Sequence, residues 1–320
     1  MRALIIGGAG FIGTALASKL IKSDFRVTVI DNLRRDSLKY FQDLYNCETF
    51  EFIESDICNP GLLEHINNDY TYVFHLAAIA GVSQYFSIPA DVMHVNTFGT
   101  VNALDLARRQ KKLRLFVDFS TSEIYGSNCY NVSEESDVRM EKLSEKRWTY
   151  ASSKVASERF TMTYHWQYNL PVTIIRPFNI YGPGQTGEGA ISNFIAGALQ
   201  HQSINVTGNG QQLRSFCYID DFIDALILLV SELNKDGNQI IGESFNIGND
   251  SEIVTISSLA EMVIEETLSN SGINYHKHAG ADVMVRSPNI NKMRRLGYCP
   301  KINLKTGLKK TIDWYQKNFL

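Results

Sequence analysis

The chain has 320 residues, 44% of them hydrophobic and 20% charged, with a formal net charge of −3 at pH 7. This is ordinary composition for a globular protein, and the slight negative balance gives no basis for a nucleic-acid or anionic-membrane surface. No apolar stretch approaches the roughly 20 residues of a membrane span. The opening "MRALIIGGAG" has one basic residue and few apolar ones before its glycines. It is too short for a signal peptide and reads as a strand. The expectation is a cytoplasmic protein without nucleic-acid or membrane partners. Cys47, Cys58, Cys129, Cys217 and Cys299 are scattered, odd in number and lack CxxC spacing, so they read as thiols in a reducing cytosol. His276 and His278 lie two apart with no acidic or cysteine neighbour, so no metal site is expected.

Apolar runs alternate with helix-like segments through the first half. "RALIIGG" leads into a helical stretch from Gly10 to Ser23, and "FRVTVID" follows. Then come "TFEFIESDI", "YTYVFHLAA", a helix from about Ala90 to Gln110, and "RLFVDFS". Runs rich in Val, Ile and Phe between helices predict βαβ units and a parallel sheet. The long helix "YASSKVASERFTMTYHWQYN" precedes another strand, "VTIIRPFNIYG". After Tyr181 the texture changes to "GPGQTGEG" and mixed segments up to "YQKNFL". We place a nucleotide-binding part at residues 1–180 and a smaller substrate-binding part at 181–320, with elements free to cross back and an interface shared between them.

"GGAGFIG" spaces Gly7, Gly10 and Gly13 as GxxGxxG directly after a strand and at the start of a helix. That context lets the backbone turn tightly and presents free N–H groups to a pyrophosphate. "VTVID" ends in Asp31, where a carboxylate can accept both ribose hydroxyls of an adenosine and would repel a 2′-phosphate, favouring NAD over NADP. Arg34 and Arg35 read as solvated. Asp56 and Ile57 follow the next strand, where the adenine edge belongs.

Tyr150 and Lys154 stand four apart in "YASSK", on one helical face. A neighbouring ammonium favours the phenolate and predicts a lowered tyrosine pKa, which makes a general base for a hydroxyl proton. The run "RLFVDFS" continues into "TSEIYG", so that Thr121, Ser122 and Glu123 fall at a parallel strand's C-terminal end, where such sheets bind ligands. The plainer alternative is capping by Thr121 and Ser122, with Glu123 solvated.

These motifs, with "HLAA" (His75 to Ala78), "NTFGT" from Asn96, "RPFNIYGPGQ", "GNGQQLRSFCYIDD", "FNIGN" and "VRSPNINKMRRLGYCP", resemble the extended short-chain dehydrogenase/reductase family essentially from end to end. The family comprises NAD-dependent nucleotide-sugar epimerases, dehydratases and decarboxylases. The resemblance implies a Rossmann-type α/β fold, a doubly wound parallel sheet with a smaller C-terminal α/β part. It implies transient oxidation of the sugar at C4, with Thr121 and Tyr150 at the C4 oxygen and Lys154 on the nicotinamide ribose. Phe11, Ile12, Asn32, Leu76, Ala77, Ala78, Asn96, Ser120 and Pro177 would join the cofactor site. Asn179, Arg214 and Arg286 would hold the nucleotide diphosphate, a role that suits arginine's planar fork. It also implies a homodimer through a four-helix contact between the helices near 90–110 and 150–168.

Glu123 is more than a simple 4-epimerase of this family needs. A carboxylate beside C5 points to chemistry at C5 or C6. The 4,6-dehydratases resemble this pattern but place Asp where Ser122 stands, and serine is a poor acid. "TSE", Tyr85 in "QYFSIP", "EKRWTYASSK" and "VRSPNINK" are similar to the UDP-glucuronate decarboxylases. Ala190 departs from them, standing where UDP-xylose synthases carry arginine. The leading expectation is UDP-glucuronate decarboxylation to UDP-xylose or its 4-keto form, with Tyr85 at the substrate. The alternatives are a 4-epimerase of UDP-glucuronate or a UDP-hexose, a 4,6-dehydratase, and a non-catalytic NAD-binding scaffold. Loss of Tyr150 or Lys154 would mark the scaffold, and both are present.

Overall fold

A computed structural model describes residues 1–59, 61–235, 238–277 and 281–319. Seven parallel strands form the large sheet, in the spatial order Glu243–Ile247, Val172–Pro177, Leu115–Phe119, Tyr72–His75, Arg2–Ile6, Arg26–Asp31 and Phe50–Glu54. Tyr72–His75 and Leu115–Phe119 are buried at every position, because helices cover both faces. The continuous apolar runs of the sequence therefore belong to a parallel sheet. The sheet grows one way from Arg2–Ile6 through Arg26–Asp31 and the other way through Tyr72–His75. The reversal opens a crevice at the strands' C-terminal ends, where ligands bind in folds of this kind.

On one face, helices Phe11–Ile21 and Ile219–Lys235 pack over the core that contains Ile5, Val29, Phe74 and Val117. On the other, helices Pro89–Arg108 and Thr149–Tyr168 pack against each other, and Ala103, Leu104 and Ala107 cover Leu4, Val73 and Phe116. Pro89 opens its helix where its missing N–H costs nothing. Asn169 ends the other helix in the left-handed region, at φ 51°. Both helices fall within two residues of the sequence expectation.

Strands from either side of residue 180 share sheets in both directions. Glu243–Ile247, from the later part, forms one edge of the large sheet. Asn128–Val132, from the earlier part, forms the edge of a four-stranded sheet with Val285–Pro288, Leu213–Ser215 and Ile253–Thr255. The run "YQKNF" closes a helix, Leu304–Phe319, whose buried face carries Leu308, Ile312 and Tyr315.

Candidate active site

The crevice at the strand reversal is a cleft of about 490 Å³. Gly7, Gly10, Phe11, Ile12, Gly13, Asp31, Asn32, Asp56, Ile57, Leu76, Ala77, Ala78, Ser120, Thr121, Tyr150, Lys154 and Pro177 all line it. Gly7 has φ +81°, and a Cβ there would fall 2.4 Å from the Ala77 nitrogen. Only glycine lets this loop run so close to the neighbouring strand end. Helix Phe11–Ile21 starts at Gly10 with no side-chain cap, so its first N–H groups point free into the cleft. The buried hydroxyl of Ser120 has no hydrogen-bond partner among the described residues, which suits a cleft shaped for a polar cofactor.

Asp31 also fastens the loop. Its Oδ2 accepts the Ala9 N–H at 3.0 Å and its Oδ1 the Leu33 N–H at 2.8 Å, leaving lone pairs for ribose hydroxyls. Burial raises its pKa against these hydrogen bonds. Asn32 donates to Asp56 at 2.8 Å. Asn96 departs from expectation: it is buried outside the cleft wall, where it accepts the Ile79 N–H at 2.7 Å and donates to Ser153 at 2.9 Å. It fixes the loop after "HLAA" to the helix of Tyr150, because its amide satisfies buried groups on both. Arg34 and Arg35 are not simply solvated either. They line the cleft and donate to Gln84 and to the Ala80 carbonyl.

Tyr150 and Lys154 share the cleft wall on helix Thr149–Tyr168. The phenol hydrogen-bonds Thr121, whose hydroxyl also accepts the Glu123 N–H at 3.2 Å. Thr121 therefore both caps and lines the cleft. The expected fall in the Tyr150 pKa is not found. Burial, and next the charge of Glu123, push it above 10, and these outweigh the Thr121 hydrogen bond and the pull of Arg35 and Arg286. Burial also lowers Lys154, whose charge is supported by Asp118 and Glu158. Without cofactor the pair holds a neutral phenol.

Two other expectations change. Tyr85 lies outside both clefts: its ring stacks on Tyr150 at 5.2 Å, and its hydroxyl accepts the Gly81 N–H at 3.1 Å. It buttresses the catalytic tyrosine, because the short helix Val82–Ser87 turns its buried face inward. Ser122 is buried in the turn Ser122–Tyr125 and lines neither cleft.

A second cleft, of about 400 Å³, adjoins the first at Ile180 and Gln185. Glu123, Asn179, Arg214, Arg286 and Ala190 line it, as does Arg147. Glu123 is 7% exposed, not solvated. Arg147 grips both its oxygens, at 2.6 and 3.0 Å, and Arg286 Nη2 stands 3.4 Å away. Burial alone would raise Glu123, but Arg286 and Arg147 outweigh it, so the carboxylate is held ionised below its ordinary range. Arg286 Nε and Nη2 make no hydrogen bond among the described residues. Arg214 donates to the Leu213 and Val283 carbonyls; burial and the nearby Arg286 bring its pKa down to about 9. Asn179, at φ 45°, donates to the Ser215 carbonyl at 2.7 Å. Three guanidiniums, of Arg147, Arg214 and Arg286, line this cleft with two carboxylates, of Glu123 and Asp282, an excess of positive charge that suits an anion. His276 hydrogen-bonds Asn205, and His278 lies outside the described residues.

Arg147 is the main residue that the sequence reading left without a role. Its signal was an arginine three residues before the tyrosine of "YASSK", close enough to share the turn that aims Tyr150.

The profile of the NAD dependent epimerase/dehydratase family matches residues 3–248. UDP-N-acetyl-alpha-D-glucosaminuronate decarboxylase of Bacillus cytotoxicus is 35% identical, over 99% of this chain and 98% of its own. Human dTDP-D-glucose 4,6-dehydratase is 33% identical, over 99% and 91%. UDP-glucuronic acid 4-epimerase of Bacillus cereus, solved with UDP-glucuronic acid and NAD, superposes with a TM-score of 0.90 at 29% identity, over 99% of both chains. With the glycine loop, Asp31, Tyr150 and Lys154 gathered around one cleft, NAD is the cofactor this fold takes. The chain belongs to the NAD-dependent epimerase/dehydratase family and is an enzyme that modifies nucleotide sugars.

Proposed function

We propose that this enzyme decarboxylates a nucleotide-linked uronic acid after transient oxidation at C4, with UDP-glucuronate as the leading substrate. The observation that carries the reading is the buried Glu123 between Arg147 and Arg286, with Arg286 N–H groups left to find an acceptor. A neutral hexose offers no acid to such a cleft. The similarity to a uronate decarboxylase along the whole chain supports the same reading.

In this reading Thr121 and Tyr150 hold the C4 oxygen, and Tyr150 receives its proton. Bound NAD supplies the hydride acceptor, and Lys154 orients its ribose. The resulting β-keto acid loses its carboxylate, and a proton must then reach C5. Glu123 is held ionised, so it delivers that proton only after taking one up, or orders the water that delivers it. Arg214 and Asn179 hold the diphosphate, and Arg286 reaches the sugar acid. Residues 1–180 supply most of the cofactor part and 181–320 most of the substrate part.

Incubation with UDP-glucuronate and NAD, read by product mass, tests the reaction. Decarboxylation loses the mass of carbon dioxide, dehydration of a neutral hexose loses that of water, and epimerisation changes nothing. Glu123→Gln sharpens the result: NADH should appear in a single turnover while finished product is lost or slowed. Epimerisation at full rate in that variant would replace the decarboxylase with a 4-epimerase. The second reading rests on the Bacillus cereus epimerase, whose structure this fold matches. A dehydratase is disfavoured because Ser122, at the position of the needed acid, is buried away from both clefts.

We also infer a homodimer. Phe98 and Trp166, each 59% exposed, stand with Met93 and Phe160 on the outer faces of helices Pro89–Arg108 and Thr149–Tyr168. Pairing of the two helices about a two-fold axis would bury them. A monomer by light scattering at micromolar concentration rejects it. No helix among the described residues is long and apolar enough to cross a membrane, and a cytoplasmic location is the corresponding proposal.

A further inference from the structure

Arg176, on the strand Val172–Pro177, is buried and forks between two parts of the active site. Its Nε and Nη2 donate to the two carboxylate oxygens of Glu158, at 2.9 and 2.8 Å. Its Nη1 donates to the Tyr125 hydroxyl at 2.8 Å. Glu158 stands four residues after Lys154 and eight after Tyr150 on helix Thr149–Tyr168, so the three share a face. Tyr125 closes the buried turn Ser122–Tyr125, which starts from Thr121 and contains Glu123. One guanidinium therefore joins the helix of Tyr150 to the turn of Glu123.

The link continues beyond Tyr125. Its hydroxyl donates to Asn246 Oδ1 at 2.8 Å, and burial keeps the proton in place by pushing the pKa up to about 12. Asn246 is buried on the sheet-edge strand Glu243–Ile247, and its side-chain N–H donates to the Val132 carbonyl at 2.9 Å. Val132 pairs with Pro288, two residues past Arg286 on the strand Val285–Pro288. Hydrogen bonds thus run from the helix of Tyr150, through the turn of Glu123, to the strand of Arg286. Val155 also packs against the cluster of Ile124, Tyr125 and Phe178. Apolar packing is non-directional, whereas a planar fork of donors fixes angles as well as distance.

We propose that Arg176 is a positioning residue, acting through Glu158 and Tyr125 to hold the Tyr150–Lys154 helix in fixed relation to Thr121 and Glu123. Arg176, Glu158 and Tyr125 line neither cleft, so the effect passes through the residues they hold. Such placement matters because a shift of about 1 Å can cost ~10²-fold in rate. The proposal rests on Thr121 and Tyr150 acting at the C4 oxygen, and not on which sugar reacts.

Tyr125→Phe and Arg176→Lys, alone and together, test it in turnover of UDP-glucuronate with NAD. Tyr125→Phe keeps the ring near Phe178 and loses only the hydroxyl. Arg176→Lys keeps a charge for Glu158 but lacks the fork that also reaches Tyr125. In each single variant kcat should fall by about 10–10²-fold, with KM and NAD affinity nearly unchanged. The double variant should fall no further than the worse single one, because both break the same link. A merely structural role would lower the unfolding midpoint and leave the kcat of folded protein intact. Full kcat in either folded variant, or losses that multiply in the double variant, overturns the proposal. Should one variant fail to fold, the other decides by the same criterion. Crystals of NAD-bound Tyr125→Phe give a readout without sugar, which still decides if wild type leaves UDP-glucuronate unchanged and the decarboxylase reading fails. The Thr121–Tyr150 hydroxyl separation should exceed that in wild-type crystals, and an unchanged separation overturns the proposal.

Discussion

The two clefts adjoin at Ile180 and Gln185 but are built from different materials. The cofactor cleft is walled by the glycine loop and by residues at the C-terminal ends of neighbouring strands. Its shape follows once the sheet forms. The second cleft is walled by side chains from separated segments, and at one end Glu123, Arg147 and Arg286 hold one another. A backbone cleft tolerates little change at a glycine, whereas an ionic cleft is vulnerable wherever one charge loses its partner. Tyr150 lines the first cleft and is influenced by residues of both: Thr121 from the first, Glu123 and Arg286 from the second.

Tyr150→Phe should bring the largest loss, with turnover falling by about 10²–10⁴ as expected for removal of a general base. NAD affinity should persist, since the ring still packs on Tyr85. Because the Tyr150 pKa is raised in the unliganded protein, its basic form grows only as pH rises, and the wild-type rate should climb on the alkaline side. Initial rates across pH at saturating NAD check both points.

Arg147→Met attacks the ionic cleft by stripping Glu123 of its two-point partner. Breaking a buried pair on one side costs about 3–5 kcal/mol. Denaturant unfolding should show that loss, and Arg147→Met with Glu123→Gln should recover part of it. If the single variant is as stable as wild type, the second cleft is looser than its hydrogen bonds indicate.

Gly7→Ala attacks the backbone cleft. At φ +81° an alanine carries strain of about 1–3 kcal/mol, and its Cβ meets the Ala77 backbone. Weaker NAD binding by titration is expected, with a smaller change in folding stability. Undiminished affinity would mean that the loop gives way where the close approach says it cannot.

Acid pH should produce the mildest effect. Glu123 titrates below the ordinary glutamate value of 4.5, because the pull of Arg286 and Arg147 exceeds the effect of burial. Its contribution to stability is therefore complete above that value and is lost as pH falls through its folded pKa. The stability gap between wild type and Glu123→Gln should narrow in that acid window and stay constant above it. A gap that widened toward acid would mean that Glu123 is neutral in the folded protein.

Much of the cofactor cleft could be read from the chain because local patterns specify it. A glycine triplet between a strand and a helix has few ways to fold, and an acid at the end of the second strand can only face the same crevice. Asn96 was the exception in this group. Its motif was recognisable, but its buried amide serves Ile79 and Ser153, partners 17 and 57 residues away. Tyr85 differs for the same reason, since its stacking partner Tyr150 comes from a different helix.

By itself, the sequence determined the parallel sheet, the glycine loop, Asp31 and the shared helical face of Tyr150 and Lys154. All of these follow from periodicity and from bonds between near neighbours. The tertiary structure alone decided which charges meet. Arg147 closes on Glu123 across 24 residues, and Arg286 reaches the same carboxylate from the distant strand Val285–Pro288. The protonation of Tyr150 followed from that packing rather than from its spacing to Lys154. Burial depends on everything folded around a group, and desolvation with the charge of Glu123 outweighed the hydrogen bond of Thr121 and the pull of Arg35 and Arg286.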